Sequence, residues 1–416
     1  MMAIREQFLI PKRYNTISLG LMGIGILAII ILFITHGSKS DPHEQARFWA
    51  SLLQNSVYFL LVTNAVMFFI CATTLAWAGW QMSFRRVSEA ISACVPVLGI
   101  IAGIVLFAIV FSDNHTIYHW TDTEHVKHDE ILLHKSGFLN KGFFVVWTVI
   151  TIAGWSLLGR KIRRMSRALD EHPLQTIEEG KKYIWNGTVW SAIYIVLFAL
   201  TVMSSIPWLW LMSIDAHWFS TMYSWYTFAS TFVAGVALIT IFVVYLKNLG
   251  YLEFTNEEHL HDLGKFMFAF SVFWTYLWFS QFMLIWYANM PEETVYFKPR
   301  AEGPYSGIFW LNLIINFLAP LLILMSRGAK RNYTTLTFMC ILLLFGHWLD
   351  FFQMVHPGPS KDPVTGLYHV PMMLFDFCIG LGFVGLIMFL TARALAKAPL
   401  IAKNHPFIKE SVIHHT

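Results

Sequence analysis

The stretch Ile91–Phe111 reads ISACVPVLGIIAGIVLFAIVF and contains no charged residue. A helix needs about 20 mainly apolar residues to cross a hydrocarbon core of about 30 Å. Such a run therefore predicts a transmembrane helix. The whole chain has the same character, because 56% of its 416 residues are hydrophobic and only 13% are charged, whereas soluble domains carry about 25% charged residues. We expect lipid to be its main solvent.

Similar apolar runs recur along the whole sequence. The ten predicted spans are roughly Asn15–Thr35, Val57–Trp80, Ile91–Phe111, Phe143–Leu158, Val189–Met212, Tyr226–Leu246, Phe266–Tyr287, Ile308–Met325, Thr334–Val355 and Val370–Ala392. The sequence therefore predicts an all-α, polytopic protein with one membrane domain over residues 1–416. Arg47–Asn55 is too short to span, and it either begins the second helix or lies along the interface. The first span lacks a small-residue cleavage site, so we expect it to be retained.

The distribution of basic residues predicts the orientation. All 29 Lys and Arg residues fall outside the predicted spans. Most of them lie in the two terminal tails and the even-numbered connections, above all in the arginine-rich segment 160–167. Because positively charged loops stay in the cytoplasm, both termini are expected inside. This topology also accounts for the net charge of +4 without a nucleic-acid partner.

Three ionisable residues lie within the predicted spans. His347 and Asp350 are three positions apart in the ninth span, which places them on one helix face, and Asp376 lies in the tenth. A charge at the bilayer centre costs about 2.5–3.5 kcal/mol, so such groups are functional candidates. With the predicted topology, both aspartates lie in the outer half and His347 nearer the midplane.

Amides accompany these groups in the same half of the membrane. The supporting polar residues are Gln281, Asn312, Asn316, Gln353 and Asn64. One interpretation is a proton-transfer path from the midplane to the outer face, because an imidazole beside a carboxylate titrates near neutral pH. The alternative is a polar cluster that only holds helices together. At the inner side, Glu89 is expected to be a solvated carboxylate at a helix start.

The sequence offers no redox site of its own. A membrane haem needs two deep histidines, and only His347 qualifies. No iron–sulfur motif, P-loop or dinucleotide fingerprint occurs, and the four cysteines lie far apart within spans. The histidines between the third and fourth spans show no metal-ligand spacing. We therefore expect this chain to bind no cofactor or metal.

Two segments carry a resemblance to a known family. They are SQFMLIWYANMPEET at residues 280–294 and GHWLD at residues 346–350. Both resemble the ten-helix membrane subunits of alternative complex III, the bacterial quinol:cytochrome c oxidoreductase, which belong to the NrfD-like polysulfide-reductase membrane-anchor family. The resemblance is greatest to the second, shorter of the two ten-helix subunits in such complexes.

The resemblance implies a fold, a location and partners. The fold would be two four-helix bundles, spans two to five and six to nine, with the first and last spans flanking them. The location would be the bacterial inner membrane. The partners would be a homologous NrfD-like subunit, an iron–sulfur subunit and c-type cytochromes, with lipids around them. Haem c and the clusters would belong to those partners, and quinol binding within the complex stays open.

The role implied by the resemblance is proton conduction or translocation in the respiratory chain, which His347, Asp350 and Asp376 would serve. A proton-coupled secondary transporter and a passive membrane anchor are the alternatives. A transporter often shows an internal repeat and broken helices at midplane depth, and the sequence shows no convincing repeat.

Overall fold

The computed structural model describes residues 7–361, 366–369 and 373–415. Within them, ten helices are long and apolar enough to cross a membrane, which confirms the predicted fold class. These are α1 Lys12–Gly37, α2 Pro42–Leu75, α3 Arg85–Phe111, α4 Lys141–Glu171, α5 Ile177–Trp210, α6 Met222–Asn248, α7 Glu257–Ala288, α8 Ser306–Ile323, α9 Tyr333–Val355 and α10 Met373–Ala396. The first three residues of the tenth predicted span, including Pro371, lie outside the described residues.

Local signals explain why α2 is longer than its apolar run. The Asp41 side chain accepts a hydrogen bond from the backbone N–H of His43 at 3.0 Å, and Pro42 occupies the first helical position. Both features favour a helix start, so Arg47–Asn55 is the beginning of α2. The helix ends at Leu75 and not at Trp80, because Trp77 adopts a left-handed backbone conformation with φ 53°.

The helices form two bundles that share a central contact. In the first bundle, α2 packs on α3 and α5, and α4 packs on the same two helices from the other side. In the second bundle, α6 packs on α7 and α9, and α8 contacts both α7 and α9. Helices α2 and α6 touch at the centre, and each is largely buried. The two bundles expected from the resemblance are therefore present.

Helices α1 and α10 pair with each other on the outside of the bundles. The pair is tight because glycine faces glycine: a Cβ atom on Gly25 would lie 2.4 Å from the Cα atom of Gly382. Small residues at such positions allow close backbone approach in lipid, where packing drives helix association. Gly385, which faces the backbone of Ser18, extends the same contact.

Two helices contain a wide turn just before a proline. Thr201–Ser205 in α5 and Ile314–Leu318 in α8 are π-helical, and Pro207 and Pro320 follow them. Proline cannot donate to the carbonyl four residues earlier and clashes with it, and a π-turn accommodates both effects. The turn in α8 carries Asn316, so the proline helps to set the direction of a polar side chain.

Residue 7, the start of α1, the end of α10 and the tail up to residue 415 lie at the same end of the bundles, which we call the terminal end. There the C-terminal tail, residues 397–415, contacts two connections and the end of α4: Glu410 accepts from Gly79 N–H at 3.2 Å, Asn256 donates to His414 O at 3.0 Å, and Asn404 donates to Leu169 O of α4 at 2.8 Å. The opposite, distal end holds the long connection 112–140 and the segments 211–221, 289–305 and 356–361. By the distribution of basic residues, the terminal end is expected in the cytoplasm.

Candidate functional site

Asp350 lies in the middle of the second bundle and is fully buried. Its carboxylate accepts hydrogen bonds from three helices: from the Tyr226 hydroxyl on α6, from Trp274 Nε1 on α7 at 2.9 Å and from Asn312 Nδ2 on α8 at 2.9 Å. All three donors are neutral. Among the described residues, no cation forms an ion pair with Asp350.

His347 lies one turn along α9 towards the membrane interior and is also fully buried. Its Nδ1 atom is 3.0 Å from the hydroxyl of Ser230 on α6. Its ring packs edge-to-face on Trp274, which also donates to Asp350. The Nε2 atom has no hydrogen-bond partner in the described part of the chain. An unpaired buried nitrogen is costly, so His347 keeps one ring nitrogen that no described side chain satisfies.

Asn316 extends the polar cluster along α8. Its Nδ2 donates to Asn312 Oδ1 at 2.5 Å, and Asn312 in turn donates to Asp350. The close approach requires a glycine opposite, because a Cβ atom on Gly346 would lie 2.2 Å from Asn316 Oδ1. The glycine that precedes His347 in the GHWLD segment therefore makes room for the amide that supports Asp350.

A small cavity of about 20 Å³ lies on the distal side of this cluster. Its walls include Tyr226 and Asn312, which bind Asp350, and also Gln281, Gln353 and Arg300. This volume is sufficient for about one water molecule with polar partners. Gln281 accepts from the Ser220 hydroxyl at 2.9 Å, and Gln353 Oε1 has no partner among the described residues. The cavity thus lies between the donors to Asp350 and the polar side chains of Gln281, Gln353 and Arg300.

Arg300 closes the distal side of the cavity and is the residue that sequence reasoning missed. It is 2% exposed, and its guanidinium donates to Gln353 O at 2.8 Å, Tyr296 O at 2.6 Å and Asp215 Oδ2 at 3.0 Å. Burial alone would lower the pKa of Arg300, but the oxygens of Tyr296 and Asp215 outweigh it and raise the pKa. The side chain was not identified because Arg300 lies in a connection outside the predicted spans.

Asp376 does not join the Asp350 cluster, contrary to the expectation of one shared group. It lies on α10, 3.6 Å from Nε2 of His356, while its backbone carbonyl accepts from Asn55 Nδ2 at 3.2 Å. Asn55 also accepts from Trp348 Nε1 at 2.9 Å. Burial lowers the pKa of His356. Asp376 thus belongs to a second distal cluster between α2, α9 and α10, on another side of α9.

Asn64 lies in the first bundle and takes no part in either cluster. Its Oδ1 accepts from the hydroxyl of Tyr194 on α5, and its Nδ2 has no partner among the described residues. The side chains that the sequence grouped together thus lie in three places. Depth along a span could be read from the sequence, but the direction of each helix face could not.

Glu89 is buried and ion-paired, so the expectation of a solvated carboxylate is wrong. It is 1% exposed and accepts from Arg85 Nε at 3.0 Å and from Arg86 Nη1 at 3.0 Å. Arg86 also donates to Asp170 Oδ2 on α4 at 2.7 Å. We call these four residues the terminal ion network. Its signal was visible in the sequence as two arginines three and four positions before a glutamate.

The chain matches no family model and no curated protein. The two segments that carry the family resemblance map to the second bundle, where Gln281 lines the cavity and Asp350 is the central carboxylate. Among the described residues, no group of three or more His, Cys, Asp or Glu is arranged to hold a metal ion.

Proposed function

We propose that this chain is a proton-conducting membrane subunit of a quinol:cytochrome c oxidoreductase of the alternative complex III type. The observation that carries the proposal is Asp350: among the described residues, only neutral groups hydrogen-bond to this fully buried carboxylate, and two of them, Tyr226 and Asn312, also line a water-sized cavity. Buried charges are usually paired, and an intramembrane ionisable group without a counter-ion is a functional candidate.

The chemistry of the cluster suits proton transfer. A carboxylate held by neutral donors can take up and release a proton without breaking an ion pair. The Tyr226 hydroxyl touches Asp350 and lines the cavity, and a hydroxyl both donates and accepts. It can therefore pass a proton between the carboxylate and a water molecule in the cavity. His347, with its free Nε2, extends the path inwards.

The direction of transfer follows from the expected topology. With the terminal end in the cytoplasm, the cavity faces the outer side. Quinol oxidation releases protons to that side, so an outward half-path in this subunit is consistent with such a complex. Arg300 lies at the cavity's distal wall and would hold this exit in place by its three hydrogen bonds, one to α9 and two to the connections around it.

The complex itself is proposed from the family resemblance of residues 280–294 and 346–350. It implies a homologous ten-helix subunit, an iron–sulfur subunit and c-type cytochromes as partners. Haem c and iron–sulfur clusters would belong to those partners. We propose the bacterial inner membrane as the location, with both termini in the cytoplasm.

A passive anchor is the competing function, and one observation favours it. Both carboxylate oxygens of Asp350 have donors, which come from α6, α7 and α8. A buried polar group satisfied in this way can serve to fasten four helices together. The two functions differ in what they require of Asp350, since only proton transfer needs an ionisable group.

The test is Asp350→Asn in the intact complex, with Glu178→Gln on an exposed surface as the control. We expect the asparagine variant to assemble with its partners and to lose at least tenfold in proton-coupled turnover per assembled complex. Normal turnover and normal proton release per assembled complex would contradict proton transfer and support the anchor. Turnover is measured as quinol:cytochrome c reductase activity, and proton release is measured with a pH indicator.

The assignment to a complex has a separate test. A tagged chain is extracted in mild detergent, and its optical spectrum and co-purifying proteins are recorded. Co-purification with a multihaem cytochrome and an iron–sulfur protein is the expected result. A colourless chain that is stable without partners would favour a secondary transporter.

A further inference from the structure

A long apolar groove lies between the α1–α10 pair and the two bundles. Its volume is about 760 Å³, within the range of sites that bind organic ligands. Almost all of its lining is aliphatic or aromatic. The groove is formed mainly by Ile17 of α1, Tyr58 and Val62 of α2, Leu238 and Ile241 of α6, Leu344 of α9, and Leu381 and Val384 of α10.

The groove runs along the membrane-spanning direction. On α10 its lining extends from Phe377 to Met388, and on α6 from Leu238 to Leu249. At 1.5 Å per residue, each wall is about 17 Å long, which is more than half of a hydrocarbon core of about 30 Å. A ligand that fills it must be long, narrow and apolar.

The mouth of the groove at the terminal end is basic and aromatic. Arg13, Tyr14 and Tyr245 line it there, and Lys12 precedes them at the start of α1. Lys12 and Arg13 are exposed, and Arg13 forms no ion pair within the described part of the chain. Tyr14 donates to Met388 O at 3.1 Å and packs on Tyr245. Basic pockets between helices on the cytoplasmic side bind anionic lipid head groups.

We propose that this groove is a binding site for one anionic phospholipid, whose acyl chain lies in the groove and whose phosphate binds Arg13 and Lys12. The charge at the mouth selects an anionic head group. The size of the groove argues against a helix from another protein, because a helix about 10 Å across and 17 Å long takes up roughly 1,300 Å³. The site is distinct from the Asp350 cluster; it rests on the proposed cytoplasmic position of the terminal end but not on proton transfer by Asp350.

The first test is retention of lipid by the protein, purified in detergent with any partners that remain bound. After extensive washing, lipid is extracted and quantified by mass spectrometry. We expect about one anionic phospholipid per chain above the exchangeable background. Val384→Trp places a large ring in the groove and should lower this retention at least fivefold. Val196→Trp is the matched control, because Val196 is 60% exposed on the face of α5 that points away from the bundle and lies outside the groove.

The second test separates the head group from the acyl chain. Arg13→Gln should lower the ratio of anionic to zwitterionic lipid at least threefold while leaving total bound lipid nearly unchanged. Arg160→Gln, at an exposed arginine near the terminal end of α4, should change neither quantity. The elution profile and the thermal denaturation of each variant show whether it folds as the wild type does. If Val384→Trp does not fold, the lipid ratio of Arg13→Gln still tests the proposal.

Photo-crosslinking then identifies the occupant directly. A benzophenone amino acid at position 381 in native membranes is expected to capture phospholipid, seen as a mass increase of the chain. Capture of a polypeptide, whether a partner or a second copy of this chain, would overturn the proposal. So would wild-type protein that retains no lipid, or a Val384→Trp variant that folds and retains as much anionic lipid as wild type.

Discussion

The Asp350 cluster and the terminal ion network around Glu89 are both buried carboxylate sites, but their partners differ. Glu89 lies between two arginines, and one of these also binds Asp170. Asp350 accepts hydrogen bonds from a hydroxyl, an indole N–H and an amide, and it forms no ion pair with a cation of the described residues. The first site sits at the terminal end of the first bundle and the second well inside the second bundle.

The contrast shows that burial alone does not identify a proton-transfer group. Charges that are paired with charges stay ionised, and removal of one partner leaves another buried and unpaired. Such a network holds helices in place. A carboxylate among neutral donors can change its protonation state with a smaller rearrangement than a carboxylate that is paired with arginines. The Asp350 cluster is therefore the better candidate for a proton-transfer site, and the terminal ion network is the better candidate for a stabilising contact between helices.

The largest effect is expected at the terminal ion network. Glu89→Gln removes the charge that two buried arginines share, so it should lower the free energy of unfolding by about 3–5 kcal/mol and sharply reduce the yield of folded protein. Thermal denaturation in detergent measures this effect. Glu178→Gln is the control, because the Glu178 side chain is 84% exposed. Full stability of Glu89→Gln would remove the contrast between the two sites.

The next effect is expected at the exit of the distal cavity. Arg300→Gln removes three hydrogen bonds and the partner of Asp215, so we expect a loss of about 2–4 kcal/mol in stability and altered proton-coupled turnover. The control is Lys298→Gln, an exposed position on the same short segment. Normal stability and turnover in Arg300→Gln would mean that this side chain does not hold the exit.

A matched pair of tyrosines sharpens the argument for Asp350. Tyr226→Phe deletes a donor to the carboxylate and should cost about 1.5–3 kcal/mol, as for hydrogen bonds to charged groups, together with slower proton transfer. Tyr223→Phe, one turn away, is the control for the hydrogen bond: Tyr223 lines the same cavity, but no hydrogen bond between the described side chains joins it to Asp350. Stability is measured by thermal denaturation, and proton release by indicator. Equal behaviour of the two variants would argue against a role for the Tyr226 hydroxyl.

The smallest effect concerns the C-terminal tail. Burial, with Arg85 nearby, lowers the pKa of His405 from 6.5 to about 3. The docked tail thus favours neutral histidine, so docking is fully stable above about pH 6.5 and weakens by about 1.4 kcal/mol per pH unit below it. Limited proteolysis should release the tail more readily at about pH 5 than at pH 7.5. His405→Phe should reduce this difference, and a wild-type tail insensitive to pH would contradict it.

Much of the fold could be predicted because its signal is local. Runs such as Ile91–Phe111 predict spans from apolar length alone, and Asp41-Pro42 could have predicted the true start of α2. Residue depth along a helix also follows from sequence, which is why Asp350 and His347 were found. Arg300 was not, since its burial depends on a connection that folds back over the second bundle.

The sequence by itself determined the ten helices of the described residues that are long and apolar enough to span a membrane. It also determined which few ionisable residues lie within them, because apolar length and charge position are properties of each segment alone. Only the tertiary structure decided that Asp376 lies apart from Asp350, that Glu89 is ion-paired and that a groove separates the α1–α10 pair from the bundles. These features depend on which helix faces meet, and in lipid that is decided by packing and by the pairing of polar groups.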